Sequence, residues 1–86
     1  MQVELTPKAR QDIDYWRSTN NAAILKRIEL LFDAILQNPY KGIGKPEALK
    51  YQLSGKWSRR ITNEHRFVYA IEGDTLRIYS LKGHYW

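Results

Sequence analysis

The apolar residues of this chain change period partway along, and that change decides the class of fold. Up to residue 36 they recur at helical spacing. Ala9, Ile13 and Trp16 fall at i, i+4 and i+7. Ile24, Ile28, Leu31 and Ile35 form a second line, widened by Leu25, Phe32 and Leu36 into a broad core-facing band. Beyond residue 56 the period is two. Trp57, Arg59 and Ile61 alternate with Ser58, Arg60 and Thr62, and Phe67, Tyr69 and Ile71 alternate with Arg66, Val68 and Ala70. Leu76, Ile78 and Ser80 alternate with Arg77, Tyr79 and Leu81. A helix buries a stripe and a strand buries every second residue, so two helices precede a run of strands in the second half.

Punctuation residues place the boundaries. Gln2 to Leu5 alternates polar and apolar and reads as a short strand. Thr6-Pro7 opens a helix, with threonine as N-cap and proline at the first helical position. That helix ends near Ser18-Thr19-Asn20. Asn20 or Asn21 caps a second helix over about 21–37, which Asn38-Pro39 stops. The short gap between them makes an antiparallel helical hairpin. Residues 39–48, with Pro39, Gly42, Gly44 and Pro46, form an irregular connection. Glu72-Gly73-Asp74-Thr75 is a tight hairpin signal. The expected order is β-α-α-β-β-β. It is an α+β fold: a small antiparallel sheet with an N-terminal helical hairpin packed on one face. Eighty-six residues suffice for one domain, taken as 1–86.

Composition excludes several kinds of chemistry. The chain has no cysteine, so disulfides, thiolate metal sites and cysteine nucleophiles are ruled out, and two histidines make a zinc site improbable. No apolar run approaches the roughly 20 residues that span a bilayer, so no membrane association is expected. The start, Met1-Gln2-Val3-Glu4-Leu5, lacks a basic segment leading into an apolar one, and a cytoplasmic protein is expected.

Charge is uneven. Residues 1–43 carry six basic and five acidic side chains, whereas residues 44–86 carry eight and four. Lys45, Lys50, Lys56, Arg59, Arg60 and Arg66 surround only Glu47 and Glu64, and Tyr51, Trp57 and Phe67 are interleaved among them. Cations mixed with aromatic rings suit a polyanion with unpaired bases, RNA before duplex DNA. The plainer alternative is a solvated basic face.

Gly42-Ile43-Gly44-Lys45-Pro46 resembles a phosphate-binding loop but has the wrong spacing and no Ser/Thr after the lysine, so it reads as a turn. The stronger candidates are Glu47, Lys50, Arg60, Arg66, His84 and Tyr85. Metal-free RNA cleavage needs a base for the ribose 2′-OH, an acid for the departing 5′-oxygen and cations for the phosphorane. A carboxylate, a histidine and arginines supply that set. Spacing does not show that these groups meet. Glu47 as an exposed loop acid and His84 as a frayed chain end are the structural alternatives. His65 shares the phase of Phe67 and Tyr69 and reads as packed and hydrogen-bonded rather than catalytic. Trp57 reads as core before base-stacking, and Trp16 as core or dimer surface. Tyr85 and Trp86 either stack on a nucleotide or dock the tail.

Lys45-Pro46-Glu47-Ala48-Leu49-Lys50, then Leu53 to Thr62 with its Trp57-Ser58-Arg59-Arg60 core, then Glu64 to Tyr69, then His84-Tyr85, resemble the YoeB family of bacterial type II toxin–antitoxin toxins, within the RelE-like group. Asp14-Tyr15-Trp16 and Asn38-Pro39 extend the resemblance over essentially the whole chain. It implies a fold similar to microbial ribonucleases and an mRNA interferase that cuts the codon in the ribosomal A site. It implies Glu47 as general base, Arg66 as the transition-state-stabilising arginine and His84 as general acid with Tyr85 beside it. Lys50 and Arg60 match further cations of the family's active site. A 2′,3′-cyclic phosphate product is implied, with no metal and no cofactor. The implied partners are a YefM-like antitoxin, the 70S ribosome with its mRNA, and operator DNA reached through the antitoxin complex. A homodimer is implied too, a question the residues themselves leave open. Trp86 extends beyond the family's His-Tyr ending, and Ala48 replaces a frequent proline. Two other readings stay open: a non-catalytic translation inhibitor that binds ribosome or RNA, and a co-repressor active only with its antitoxin.

Overall fold

A computed structural model describes residues 1–84. The chain runs β1 (Gln2–Leu5), α1 (Pro7–Ser18), α2 (Ala22–Gln37), β2 (Glu47–Ala48), a 3-10 turn (Tyr51–Leu53), β3 (Trp57–Arg60), β4 (Arg66–Glu72) and β5 (Thr75–Ser80). Both helix starts form at the capping residues. Thr6 Oγ1 accepts from the Ala9 amide at 3.2 Å with Pro7 opening α1, and Asn21 Oδ1 accepts from the Ile24 amide at 3.2 Å. Asn20, at φ +53, turns the chain between the helices. The β4–β5 hairpin closes in two residues, with Glu72 opposite Thr75 and Gly73 supplying the positive φ.

The strands form one five-stranded sheet in the order β1-β5-β4-β3-β2. It differs from the expected antiparallel sheet of four strands in two ways. β1 pairs with β5 in parallel, Val3 opposite Leu76 and Leu5 opposite Ile78. The helical hairpin intervenes between β1 and the later strands, so no tight turn dictates the direction of β1. The connection also yields a short edge strand, β2, antiparallel to β3.

Period two then assigns the faces. Phe67 and Tyr69 of β4, Leu76 and Ile78 of β5, and Trp57 of β3 pack against Ala9 and Trp16 of α1 and Ile24, Ile28, Leu31 and Ile35 of α2. Burying each such side chain contributes about 1.5–3 kcal/mol. Leu36, expected in the apolar band, is 42% exposed, at the edge of the helix face beyond reach of the sheet. Trp16 resolves as core: it is 5% exposed and its indole N–H donates to the Leu81 carbonyl at 2.9 Å. Trp57 is half-buried against the same core and also touches the Tyr40 ring. No helix among the described residues is long and apolar enough to cross a membrane.

Arg59 follows its strand phase inward. It is fully buried, and no carboxylate pairs with it among the described residues. Its guanidinium instead gathers oxygens from the irregular connection: the carbonyls of Asn38 (2.6 Å), Lys41 (3.0 Å) and Ile43 (3.1 Å), and the Tyr69 hydroxyl (3.2 Å). The Tyr69 hydroxyl donates in turn to the Pro39 carbonyl. A segment without regular structure must satisfy its carbonyls somehow, and here one planar fork satisfies several. Gly44 completes the packing. Its φ is +85, and a Cβ there would sit 2.7 Å from Leu31 Cδ2. Its carbonyl accepts from the Arg60 amide at 2.7 Å. The basic cluster read from the sequence therefore loses Arg59, which holds the fold.

Candidate active site

The face opposite the helices carries the other phase of each strand. Glu47 of β2 pairs with Ser58 of β3, which pairs with Val68 of β4. Arg60 pairs directly with Arg66, two residues further along both strands. Glu47 thus lies one row, about 7 Å, from the arginine row on the same open face. At the far end of this face Arg77 bridges Glu4 and Glu72, each at 3.2 Å, and the Tyr79 hydroxyl donates to Glu72. The two acids on that side share Arg77, whereas Arg60 and Arg66 face each other at the opposite end.

Two like charges face each other across β3 and β4. Such a juxtaposition is unfavourable in itself and marks a place suited to an anion. Arg60 is exposed. Arg66 is 9% exposed, and its Nη1 donates to the carbonyls of Thr62 (2.8 Å), Asn63 (3.0 Å) and His65 (3.3 Å), which fixes its direction. The Arg66 amide donates to the Gly83 carbonyl at 3.0 Å, which draws the end of the chain alongside β4. His84 follows immediately. Partial burial holds its pKa below the ordinary 6.5, and the Arg66 charge and then that of Arg60 push the same way; a hydrogen bond to the Asn63 backbone opposes them. His84 therefore lies within electrostatic reach of both arginines.

Glu47 and Lys50 belong to a second cluster. Both are exposed, and they line a cleft of about 570 Å³ formed by residues 47–53. Lys50 begins the 3-10 turn in extended conformation. The structure thus groups Arg60 and Arg66 with His84, and Glu47 with Lys50; the cleft reaches only the second pair. Tyr85 lies outside the described residues. His65 is packed and hydrogen-bonded, as its phase suggests. Its ring meets Trp16 edge-on at 4.9 Å, and its Nδ1 accepts from the Gly83 amide at 2.8 Å. Among the described residues no three His, Asp or Glu side chains converge as metal ligands.

Two features of this region escape sequence reasoning. Tyr51, beside Lys50 in the cleft, is 87% exposed and held at φ +58, where side chains other than glycine rarely sit. No periodicity encodes that conformation. Asp12 is 6% exposed and accepts from the Leu81 amide at 2.9 Å and from Lys8 Nζ at 2.6 Å. A signal for it existed: Asp12 lies between Ala9 and Trp16 on the apolar stripe of α1, where a carboxylate needs buried donors.

Residues 5–85 match the model of the YoeB-like toxins of bacterial type II toxin–antitoxin systems. A toxin named YoeB from Synechocystis is 55% identical over 73 residues, covering 84% of this chain and 85% of its own. Among solved structures, a YoeB/ParE toxin from Agrobacterium tumefaciens superposes with a TM-score of 0.94 at 38% identity, over 99% of this chain and 100% of that one. A YoeB dimer and a heterotetrameric YoeB–YefM toxin–antitoxin complex, both from Staphylococcus aureus, superpose at 0.89 and 0.88. Each is 40% identical and covers 99% of this chain and 98% of its counterpart. The chain thus belongs to the YoeB-like toxins, and its five-stranded sheet with two helices superposes on theirs.

Proposed function

We propose that this chain is a ribosome-dependent endoribonuclease that cuts mRNA in the A site and so stops translation. The observation that carries the reading is the Arg60–Arg66 pair on the open face with His84 beside it. An opposed cation pair has little use in a fold and much use against a phosphate gaining charge.

In this reading Glu47 takes the proton of the ribose 2′-OH. The 2′-oxygen attacks the adjacent phosphorus, and the bond to the 5′-oxygen breaks. His84 gives its proton to that leaving oxygen. Arg66, with Arg60 and Lys50, stabilises the phosphorane, and Tyr85 accompanies His84. The products are a 2′,3′-cyclic phosphate and a 5′-hydroxyl, which needs no metal or cofactor. The lowered pKa of His84 fits an acid waiting for its substrate: a phosphate between the arginines offsets their charge and raises its proton affinity. The partners in this reading are the 70S ribosome with its mRNA in the cytoplasm, a YefM-like antitoxin whose acidic segment covers the cationic face, and operator DNA bound through that complex. A second copy of the chain completes a homodimer. The antitoxin and the dimer are supported by what the Staphylococcus aureus relatives form.

The test adds purified protein to ribosomes programmed with a defined mRNA and maps the new ends, with Glu47→Ala alongside. A cut within the A-site codon, bearing a cyclic phosphate and lost in Glu47→Ala, is expected. Translation arrest without any cut, equal in both proteins, would make the chain a binding inhibitor instead.

A further inference from the structure

β5 ends at Ser80, and the segment that follows it, residues 81–84, belongs to no strand. Its polar groups are instead paired one by one with side chains and with β4. The Leu81 amide donates to Asp12 Oδ2 at 2.9 Å, and the Leu81 carbonyl accepts from the Trp16 indole at 2.9 Å. The Gly83 carbonyl accepts from the Arg66 amide at 3.0 Å, and the Gly83 amide donates to His65 Nδ1 at 2.8 Å. Gly83 itself turns at φ +79. His84 is the next residue, so its imidazole can be no better placed than the backbone of Gly83.

From this arrangement we infer that His65 is a positioning residue for His84, acting through the Gly83 amide. The inference rests on the reading of His84 as the general acid. The bond requires an unprotonated Nδ1, which fixes the neutral tautomer with its proton on Nε2. The edge-on contact with buried Trp16 fixes the ring plane. Asp12 and Trp16 hold the segment where it leaves β5, and His65 holds it on the residue adjoining the acid. An error of about 1 Å in placing a reacting group can cost on the order of 10²-fold in rate. An anchor one residue away therefore acts on catalysis without touching substrate.

Asparagine can offer an acceptor oxygen near the position of Nδ1, whereas leucine cannot. The experiment compares wild type, His65→Asn and His65→Leu in cleavage of ribosome-bound mRNA, in amide hydrogen exchange at Gly83 and in imidazole ¹⁵N shifts. His65→Leu should lower kcat about 10–100-fold with KM little changed, because placement and not binding is lost. Its Gly83 amide should exchange roughly fivefold faster, the equivalent of one hydrogen bond. His65→Asn should recover most of both losses. A folded His65→Leu with wild-type kcat, or with Gly83 still protected, overturns the proposal. Should His65→Leu fail to fold, the wild-type ¹⁵N spectrum decides: a bare Nδ1 at neutral pH supports the anchor, and a protonated Nδ1 overturns it. If wild type cuts no RNA, the nuclease reading falls, and Gly83 exchange and the His65 tautomer still decide whether the anchor exists.

Discussion

Arg59 and Arg60 are neighbours on β3, and the strand sends them to opposite faces with opposite consequences. Arg59 is fully buried on the helix side, where carbonyls of the irregular connection and a phenol surround it. Arg60 is exposed on the open side, facing Arg66 across the ladder. Both count equally toward the net charge of +5. Only the second kind offers its guanidinium to an incoming phosphate for direct contact. Charge composition thus overstates the binding surface, and strand phase corrects it. The two faces divide the work: one satisfies the backbone of a glycine-rich connection, and the other concentrates unneutralised cations.

The sharpest way to break that division is to remove each arginine in turn. Arg59→Met strips donors from several carbonyls of the connection and from the buried Tyr69 hydroxyl, and should cost about 3–5 kcal/mol of stability in urea unfolding. Arg60→Met should stay within about 0.5 kcal/mol, as exposed substitutions do, yet weaken RNA binding and reduce its salt dependence by about one counterion. Equal stability losses in the two variants would erase the distinction. Gly44→Ala probes the same connection from the other side. Its positive φ and the contact with Leu31 should make it about 2–3 kcal/mol less stable by the same measurement.

Titration separates the faces as well. Burial raises the Tyr69 phenol above its ordinary 10.0, with Arg59 partly opposing it. A raised pKa in the folded state means stability is fully present below pH 10.0 and falls as the pH climbs through the folded value. Thermal unfolding at alkaline pH reads this directly. As the proposed general acid, His84 affects rate instead. As a general acid it acts when protonated, so kcat/KM should fall with rising pH through a midpoint below 6.5. The corresponding limb of kcat should lie higher, because bound phosphate counters the arginines. The smallest expected effect is at Tyr51. Glycine there relieves the positive φ but adds backbone freedom to the unfolded chain, so Tyr51→Gly should change stability by less than about 1 kcal/mol.

The helices, the hairpin and the helix-side core were legible in the sequence because their signals are local: caps at Thr6 and at Asn20 or Asn21, stripes at helical spacing, a Gly-Asp turn. The parallel pairing of β1 with β5 was not, since it joins segments more than 70 residues apart with no turn between them. β2 was not, since a two-residue strand has no period. Arg59 was half-legible: its phase with Trp57 and Ile61 pointed inward, while its charge suggested the surface. At the site, periodicity placed Arg60 and Arg66 on one face but gave no register between them. The approach of His84 depends on contacts of Gly83 with β4 and His65, which no spacing records. Roles for Glu47 and His84 came from family resemblance, and geometry supplies their setting.

In the proposed reading the open face performs chemistry which the fold does not need. The most direct test measures His84→Ala twice, in urea unfolding and in cleavage of mRNA on programmed ribosomes. Wild-type stability within about 0.5 kcal/mol is expected, with a cleavage rate lower by about 10²–10⁴-fold, the usual worth of a general acid. A folded His84→Ala protein that cleaves at the normal rate would contradict it.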